Sequence, residues 1–426
     1  MLFSSLTFIY YFLPITLLIY YIIPNKLRNT WLLIVSLIFY FWGEPKYTLL
    51  MLISILNGWL GGILIEKSTK KAVTVSTKAI AAIPIAIQFI LLAIFKYTDF
   101  VIESINTIAN SKFNTLNIAL PIGISFYSFQ IISYLIDVYR GDEEVETNII
   151  DFGAYVTMFT QLIAGPIVRY TSIKEEMKNR KLNINTLSDG ITRFTIGLAK
   201  KVLLADNLYE LIMKLETIND GNMLIYWIIA ICYTMQVYLD FSGYSDMAIG
   251  LGKMLGFTFI ENFNYPLESS SITEFWRRWH LSLSTWLKDY IYIPLGGSRC
   301  NTKKWIINIL LTWGFSGLWH GADWNFVIWG LYFGVWLILE KLVFKQFIEK
   351  HKLIYKLITI ISILVSFIIF SYSDMSILGN TLRGMVNFKH LRFSSIQKYE
   401  LASHLILIII CIFASISLPK KIFKKL

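Results

Sequence analysis

Long apolar runs separated by short basic turns set the pattern of this chain. The runs fall at 2–23, 31–44, 47–65, 79–96 and 118–138, then at 223–239 and 244–259. Further runs go from Lys303 and Lys304 to His320, from Asp323 to Leu339, and over 353–372 and 401–418. Their continuity differs from the short alternating segments of an outer-membrane barrel, and only helices satisfy the backbone of such runs inside a bilayer. The pattern therefore predicts an all-α polytopic integral membrane protein. Several runs are shorter than the roughly 20 residues a straight crossing needs. The pair at 31–65, interrupted by Gly43-Glu44-Pro45, reads as two tilted helices or a partly re-entrant hairpin, and 150–165, ending at Gly165-Pro166, as a re-entrant or half-depth segment. The polar, glycine-bearing stretch 239–246 reads as a connection between two spans. Residues 266–303 are too polar to span and too aromatic to lie free in water. They read as a helix in the inner half of the bilayer, with Trp276, Trp279 and Trp286 at its interface.

Composition agrees, because 55% hydrophobic residues over 426 positions and a mean hydropathy of +0.57 exceed what a soluble domain carries, while 16% charged residues fall below it. The net charge of +11 sits mostly in loops, so topology explains it better than nucleic acid does. Lys26 and Arg28 follow the first run, Lys67, Lys70, Lys71 and Lys78 follow the third, and Lys420, Lys421, Lys424 and Lys425 close the chain. The positive-inside rule then places the C-terminus in the cytoplasm and the N-terminus outside. Segment 166–201, rich in Lys and Arg, reads as amphipathic helix on the inner face. Leu2 to Ile23 has neither a basic leader nor a small-residue cleavage site, so it is expected to remain as the first span. Cys232, Cys300 and Cys411 match no metal spacing, and no metal site is expected.

Candidate chemistry centres on two of the five histidines, His280 in Glu274-Phe-Trp-Arg-Arg-Trp-His280 and His320 in Gly317-Leu-Trp-His320-Gly. Ionisable groups at bilayer depth are costly and mark functional sites by default. At about 1.5 Å per residue, the run of about 15 residues that ends at His320 need not bring it to the outer surface. His280 approaches from the cytoplasmic side, so a funnel or tunnel lined by both is expected. Helical spacing would put Trp276, Arg277, Ser284 and Leu287 on the face of His280. Arg277, Arg278 and Lys288 form a cationic cluster suited to phosphates, or equally to inner-face anchoring. Asp240 and Asp246 bracket Ser242 and want partners, for which Arg277, Arg278 and Lys253 are candidates. Asp240, Ser242, Asp246, Gln161, Asn262, Asn264 and Trp319 are candidate cavity linings. Ser125, Ser242 and Ser284 lack a nucleophile elbow, which argues against a hydrolase-type serine. A transporter or channel using the histidines as a proton relay is the competing reading, although no repeated halves are visible.

The motifs are also informative in order. They comprise Leu120-Pro-Ile-Gly-Ile-Ser-Phe-Tyr127, Ile136-Asp-Val-Tyr-Arg-Gly141, Leu162-Ile-Ala-Gly-Pro166, the Asp240–Gly252 run, Glu261-Asn-Phe-Asn-Tyr-Pro266, the Thr273–Gly297 run and Gly317-Leu-Trp-His-Gly-Ala322. The set strongly resembles the membrane-bound O-acyltransferase family, in the bacterial branch of alginate, peptidoglycan and cellulose O-acetylation proteins. The resemblance runs from Met1 to about Glu340, and the alginate branch carries further hydrophobic segments beyond the place where this chain stops, at Leu426. It implies one membrane domain over 1–426, with N-terminal spans at 1–140, a catalytic core at 141–345 and C-terminal spans at 346–426. Nine to twelve transmembrane or re-entrant helices would surround a central funnel or tunnel. By resemblance His320 matches the family's active-site histidine, as general base or transient acyl carrier, and His280 matches the second. The resemblance further implies acetyl-coenzyme A as donor substrate with no permanently bound cofactor, and a polysaccharide acceptor outside the cell membrane. A separate extracytoplasmic SGNH-like acetyltransferase would serve as partner. D-alanyl transfer to teichoic acid is second choice, since that relative shares the Phe-Trp-x-Arg-Trp-His theme while Arg277 here gives the Arg-Arg form.

Overall fold

A computed structural model describes residues 2–70, 77–163 and 165–423, and among them the regular elements are helices, with no strand. Lys71, Lys424 and Lys425 of the charge pattern lie outside the described residues. The chain divides into two compact units, Met1–Thr195 with Ser245–Ile260, and Ile196–Tyr244 with Glu261–Leu426.

In the first unit a helix over Arg28–Gly43 stops at the expected Glu44-Pro45 break, and α1 (Thr48–Lys70) follows. α2 (Thr77–Ala109) and α3 (Ile124–Arg140) pack against α1. Small residues let membrane helices approach closely. A Cβ on Gly58 would stand 2.8 Å from Ile131, and one on Gly61 2.7 Å from Pro84. Polar contacts reinforce the trio, since Gln88 of α2 donates to the Ser128 hydroxyl of α3 at 2.8 Å. The apolar stretch at 150–165 forms two short helices, Ile149–Thr157 and Phe159–Leu162, broken at Met158. The basic segment after it folds as α4 (Tyr170–Lys178) and α5 (Ile184–Ala199).

α6 (Met223–Met254) corrects one expectation, because it runs unbroken through 239–246. Its acidic side chains need no connecting loop to reach a partner. Asp240 accepts an ion pair from Lys201 at 2.9 Å and Asp246 from Arg193 at 2.6 Å, so both charges are neutralised along the helix flank.

The second unit holds the rest of the aromatic sequence. Residues 266–303 do not form one helix at an interface. They fold into α7 (Ile272–Trp276), α8 (Leu281–Leu287), a wide turn over Lys288–Tyr292, and irregular chain beyond it. Trp276, Trp279 and Trp286 are buried rather than interfacial. Trp276 and Trp279 join Phe275, Trp329, Phe333 and Phe367 in the core of this unit, where ring-on-ring contacts add to area burial. α9 (Thr302–His320), α10 (Trp324–Leu342) and α11 (Lys352–Ser371) supply its walls. Among the described residues five helices, α1, α2, α6, α10 and α11, are long and apolar enough to cross a membrane. The pair Ser395–Ser403 and Leu405–Ala414, bent by 51°, makes a sixth if counted as one span.

Candidate active site

His280 occupies an elbow between two short helices. α7 ends at Trp276 and α8 begins at Leu281, and His280 between them sits in the left-handed region at φ 43° and ψ 56°. The helical face expected from spacing, shared with Trp276, Arg277, Ser284 and Leu287, is therefore interrupted at the histidine itself. A left-handed conformation costs an L-residue about 1–2 kcal/mol, so something else must hold it. That something is Asn262. Its backbone carbonyl accepts from the Leu281 N–H at 3.0 Å, and its side-chain oxygen accepts from the Ser282 N–H at 3.3 Å and the Ser282 hydroxyl at 2.9 Å.

The same oxygen lies 3.1 Å from His280 Nδ1. Because a backbone N–H can only donate, the atom that the Ser282 N–H meets is the amide oxygen. The imidazole nitrogen facing it must then carry the proton. Nε2 is left with its lone pair, wholly buried and without a hydrogen-bond partner among the described residues. The elbow lies between the candidate spans. Burial, and after it the field of His320, holds the His280 pKa well below the ordinary imidazole value, so the ring is neutral at neutral pH.

His320 is the last residue of α9. Trp319 stands between the histidines, its ring 5.9 Å from that of His280 and 5.0 Å from that of His320. Phe241 meets His280 edge-on at 4.7 Å, while Trp329 and Phe370 meet His320 at 4.9 Å and 5.5 Å. The two imidazoles thus share aromatic neighbours, and so apolar a setting strengthens charge interactions within it. The position of His320 depends on a backbone crossing. A Cβ on Gly330 of α10 would collide with the Trp313 carbonyl and come within 3.1 Å of Gly317 Cα, so only glycine lets α9 and α10 touch there.

The profile of the membrane-bound O-acyltransferase (MBOAT) family matches residues 143–379, which include both histidines. A probable alginate O-acetylase, AlgI, from Azotobacter vinelandii is 40% identical over 409 residues, covering 95% of this chain and 81% of that protein. The chain belongs to the membrane-bound O-acyltransferase family. A peptidoglycan O-acetyltransferase from Helicobacter pylori is 32% identical over 435 residues, covering 93% of this chain and 82% of that protein. A teichoic acid D-alanyltransferase from Bacillus subtilis is 29% identical over 266 residues, covering 59% and 67%. As a member of the MBOAT family the protein is an acyltransferase, and its apolar helices make it a multi-pass membrane protein.

The remaining candidate residues of this acyltransferase are dispersed. Arg278 is engaged with Glu274 at 2.6 Å, and Arg277 is exposed. Lys288 is exposed at the edge of an apolar cavity of about 150 Å³, lined also by Trp276, Leu283, Ser284 and Trp313. Asp240 and Asp246 take Lys201 and Arg193 as partners in place of the expected Arg277, Arg278 or Lys253. Ser242 is buried in the second unit, and Asn264 is exposed, its backbone N–H donating to the Arg278 carbonyl. Gln161 and Asp246 belong to the first unit, where Gln161 donates to the Tyr155 carbonyl at 3.0 Å.

One anchor of the elbow went unread. Glu340, buried on α10, accepts from the Ile272 and Thr273 N–H groups and from the hydroxyls of Thr273 and Tyr355, at 2.5 to 3.0 Å. It fixes the start of α7 and hence the chain leading to His280. In sequence this glutamate sits beside Lys341 at the inward end of a span, where it looks like an ordinary interfacial charge.

Proposed function

We propose that this acyltransferase takes acetyl groups from acetyl-coenzyme A at the cytoplasmic face of the cell membrane and delivers them to hydroxyls of an extracytoplasmic polysaccharide. The last transfer passes directly or through a separate SGNH-like protein. The N-terminus lies outside and the C-terminus in the cytoplasm. The observation that carries the reading is the pair of imidazoles with shared aromatic neighbours, His280 being held by Asn262 so that Nε2 keeps a lone pair. Acyl transfer from a thioester needs a base for the attacking hydroxyl and a site that excludes water as a rival nucleophile.

In this reading His320 takes the hydroxyl proton, and the carbonyl end of α9 stabilises the positive charge that develops on its ring. His280, neutral, accepts a hydrogen bond through Nε2 and orients the reacting group. Arg277 and Lys288 meet the phosphates of coenzyme A. The choice of acetyl and polysaccharide is supported by likeness to the alginate and peptidoglycan O-acetylating relatives over more than nine-tenths of the chain. The likeness to the D-alanyltransferase is weaker and covers a smaller share, which ranks D-alanylation second. The test is the O-acetyl content of envelope and secreted polysaccharide in cells carrying wild type or His320→Ala at equal protein levels. Loss of acetylation is expected in the variant, and acetylation retained at the wild-type level would point to a scaffold and overturn the proposal.

A further inference from the structure

Three buried donors of the second unit have no hydrogen-bond partner among the described residues. Trp276 Nε1, Trp329 Nε1 and the Ser316 hydroxyl are shielded from solvent, their residues 7%, 2% and 1% exposed. An indole N–H can only donate, so each of these two requires an acceptor. Buried polar groups left unmatched are uncommon enough that each calls for an explanation.

Their placement supplies one. The Trp329 ring lies 4.9 Å from the His320 imidazole, and the Trp276 ring 5.8 Å from that of Trp329. Ser316 precedes His320 by one turn of α9 and shares its face. The contact of α9 with α10 at Gly317 and Gly330 brings Ser316 and Trp329, each adjacent to one of those glycines, to the same crossing. Trp276 is also a wall of the apolar cavity that has Lys288 at its edge, so a flexible arm lying in that cavity passes the same indole.

The geometry points to a carbonyl-oxygen site, in which Trp276, Trp329 and Ser316 hold the oxygen of an acyl thioester and stabilise the negative charge that forms on it. This inference rests on the acyl-transfer reading above. The acceptor hydroxyl oxygen bonds to the thioester carbon while an imidazole takes its proton. The carbonyl electron pair moves onto the oxygen, where the three donors meet it. Collapse restores the carbonyl, breaks the carbon–sulfur bond, and returns the proton from the imidazolium to the coenzyme A sulfur. An ester and a free thiol result, with every atom accounted for. Neutral donors suit this task because the charge exists only at the transition state, where preorganised dipoles act most strongly.

The experiment uses the purified full-length protein with acetyl-coenzyme A and soluble alginate and peptidoglycan fragments as hydroxyl acceptors, reading coenzyme A release, in Trp276→Phe, Trp329→Phe and Ser316→Ala. Each change removes a donor and nearly keeps the shape. The expected result is a kcat lowered by about 10²–10³-fold for the strongest donor, with KM within about threefold and an unchanged thermal midpoint. If a tryptophan variant fails to fold, Ser316→Ala decides the matter. Wild-type kcat in all variants that fold, or a loss of kcat that only accompanies a lowered thermal midpoint, overturns the inference. A wild type that releases coenzyme A while the variants match it contradicts this site alone. A wild type that releases none contradicts the acyl-transfer reading, and this inference with it.

Discussion

Asn262 determines which nitrogen of His280 carries a proton, although the two residues are 18 positions apart. Its side-chain oxygen has three donors around it, so removing it changes both the tautomer and the elbow. For Asn262→Ala we expect coenzyme A release to fall roughly 10²-fold, the lower end of what a well-placed acid–base group contributes. A rate equal to wild type would mean that the tautomer of His280 is irrelevant. The low pKa of His280 has a separate consequence. In the unfolded chain the ring titrates near 6.5, whereas in the fold burial keeps it neutral to lower pH. Between these values the unfolded state binds more protons, so stability falls as pH drops through and below about 6.5. Thermal midpoints measured from pH 8 to pH 5 should therefore decline more steeply for wild type than for His280→Gln. Parallel curves would contradict the assignment. At this scale the sequence pointed to the histidines, because ionisable groups are rare in such surroundings. It concealed Asn262, since an asparagine in a loop carries no periodic signal and its importance comes from a contact distant in sequence.

Elements divide between those that declare themselves locally and those held by remote partners. α10 and α11 were legible because a long apolar run is a local property, and the Glu44-Pro45 break because proline restricts the residue before it. The run 239–246 read as a connection because it is polar and carries a glycine, and the true partners of its carboxylates, Lys201 and Arg193, lie about 40 to 50 positions earlier. The elbow at His280 resembled a continuous helix because residues 272–287 keep helical spacing, and nothing within them reveals the left-handed turn. Glu340 is the element-scale counterpart of Asn262. Glu340→Ala would leave two backbone N–H groups at the start of α7 without an acceptor, together with two hydroxyls. Each lost acceptor costs about 1–3 kcal/mol, so the thermal midpoint in detergent should drop clearly, and coenzyme A release should fall with it. An unchanged midpoint would show that α10 and α11 do not anchor the elbow.

For the molecule as a whole, the class was evident from composition and the family from ordered motifs, while the pairing of residues within each unit was not. The proposed membrane orientation, with the C-terminus in the cytoplasm, rests on the basic turns. A reporter that fluoresces only in the cytoplasm, fused after Leu426, should be bright, and a dark fusion of normal abundance would reverse the orientation and with it the face that receives the donor. His320 is the proposed base of this acyltransferase, and acetyl-coenzyme A its proposed donor. The most direct measurement gives purified wild type and His320→Ala acetyl-coenzyme A together with soluble alginate and peptidoglycan fragments as hydroxyl acceptors, and follows coenzyme A release. Release by wild type and its loss in the variant are expected, with both proteins equally folded; release that survives in His320→Ala would overturn the role of His320.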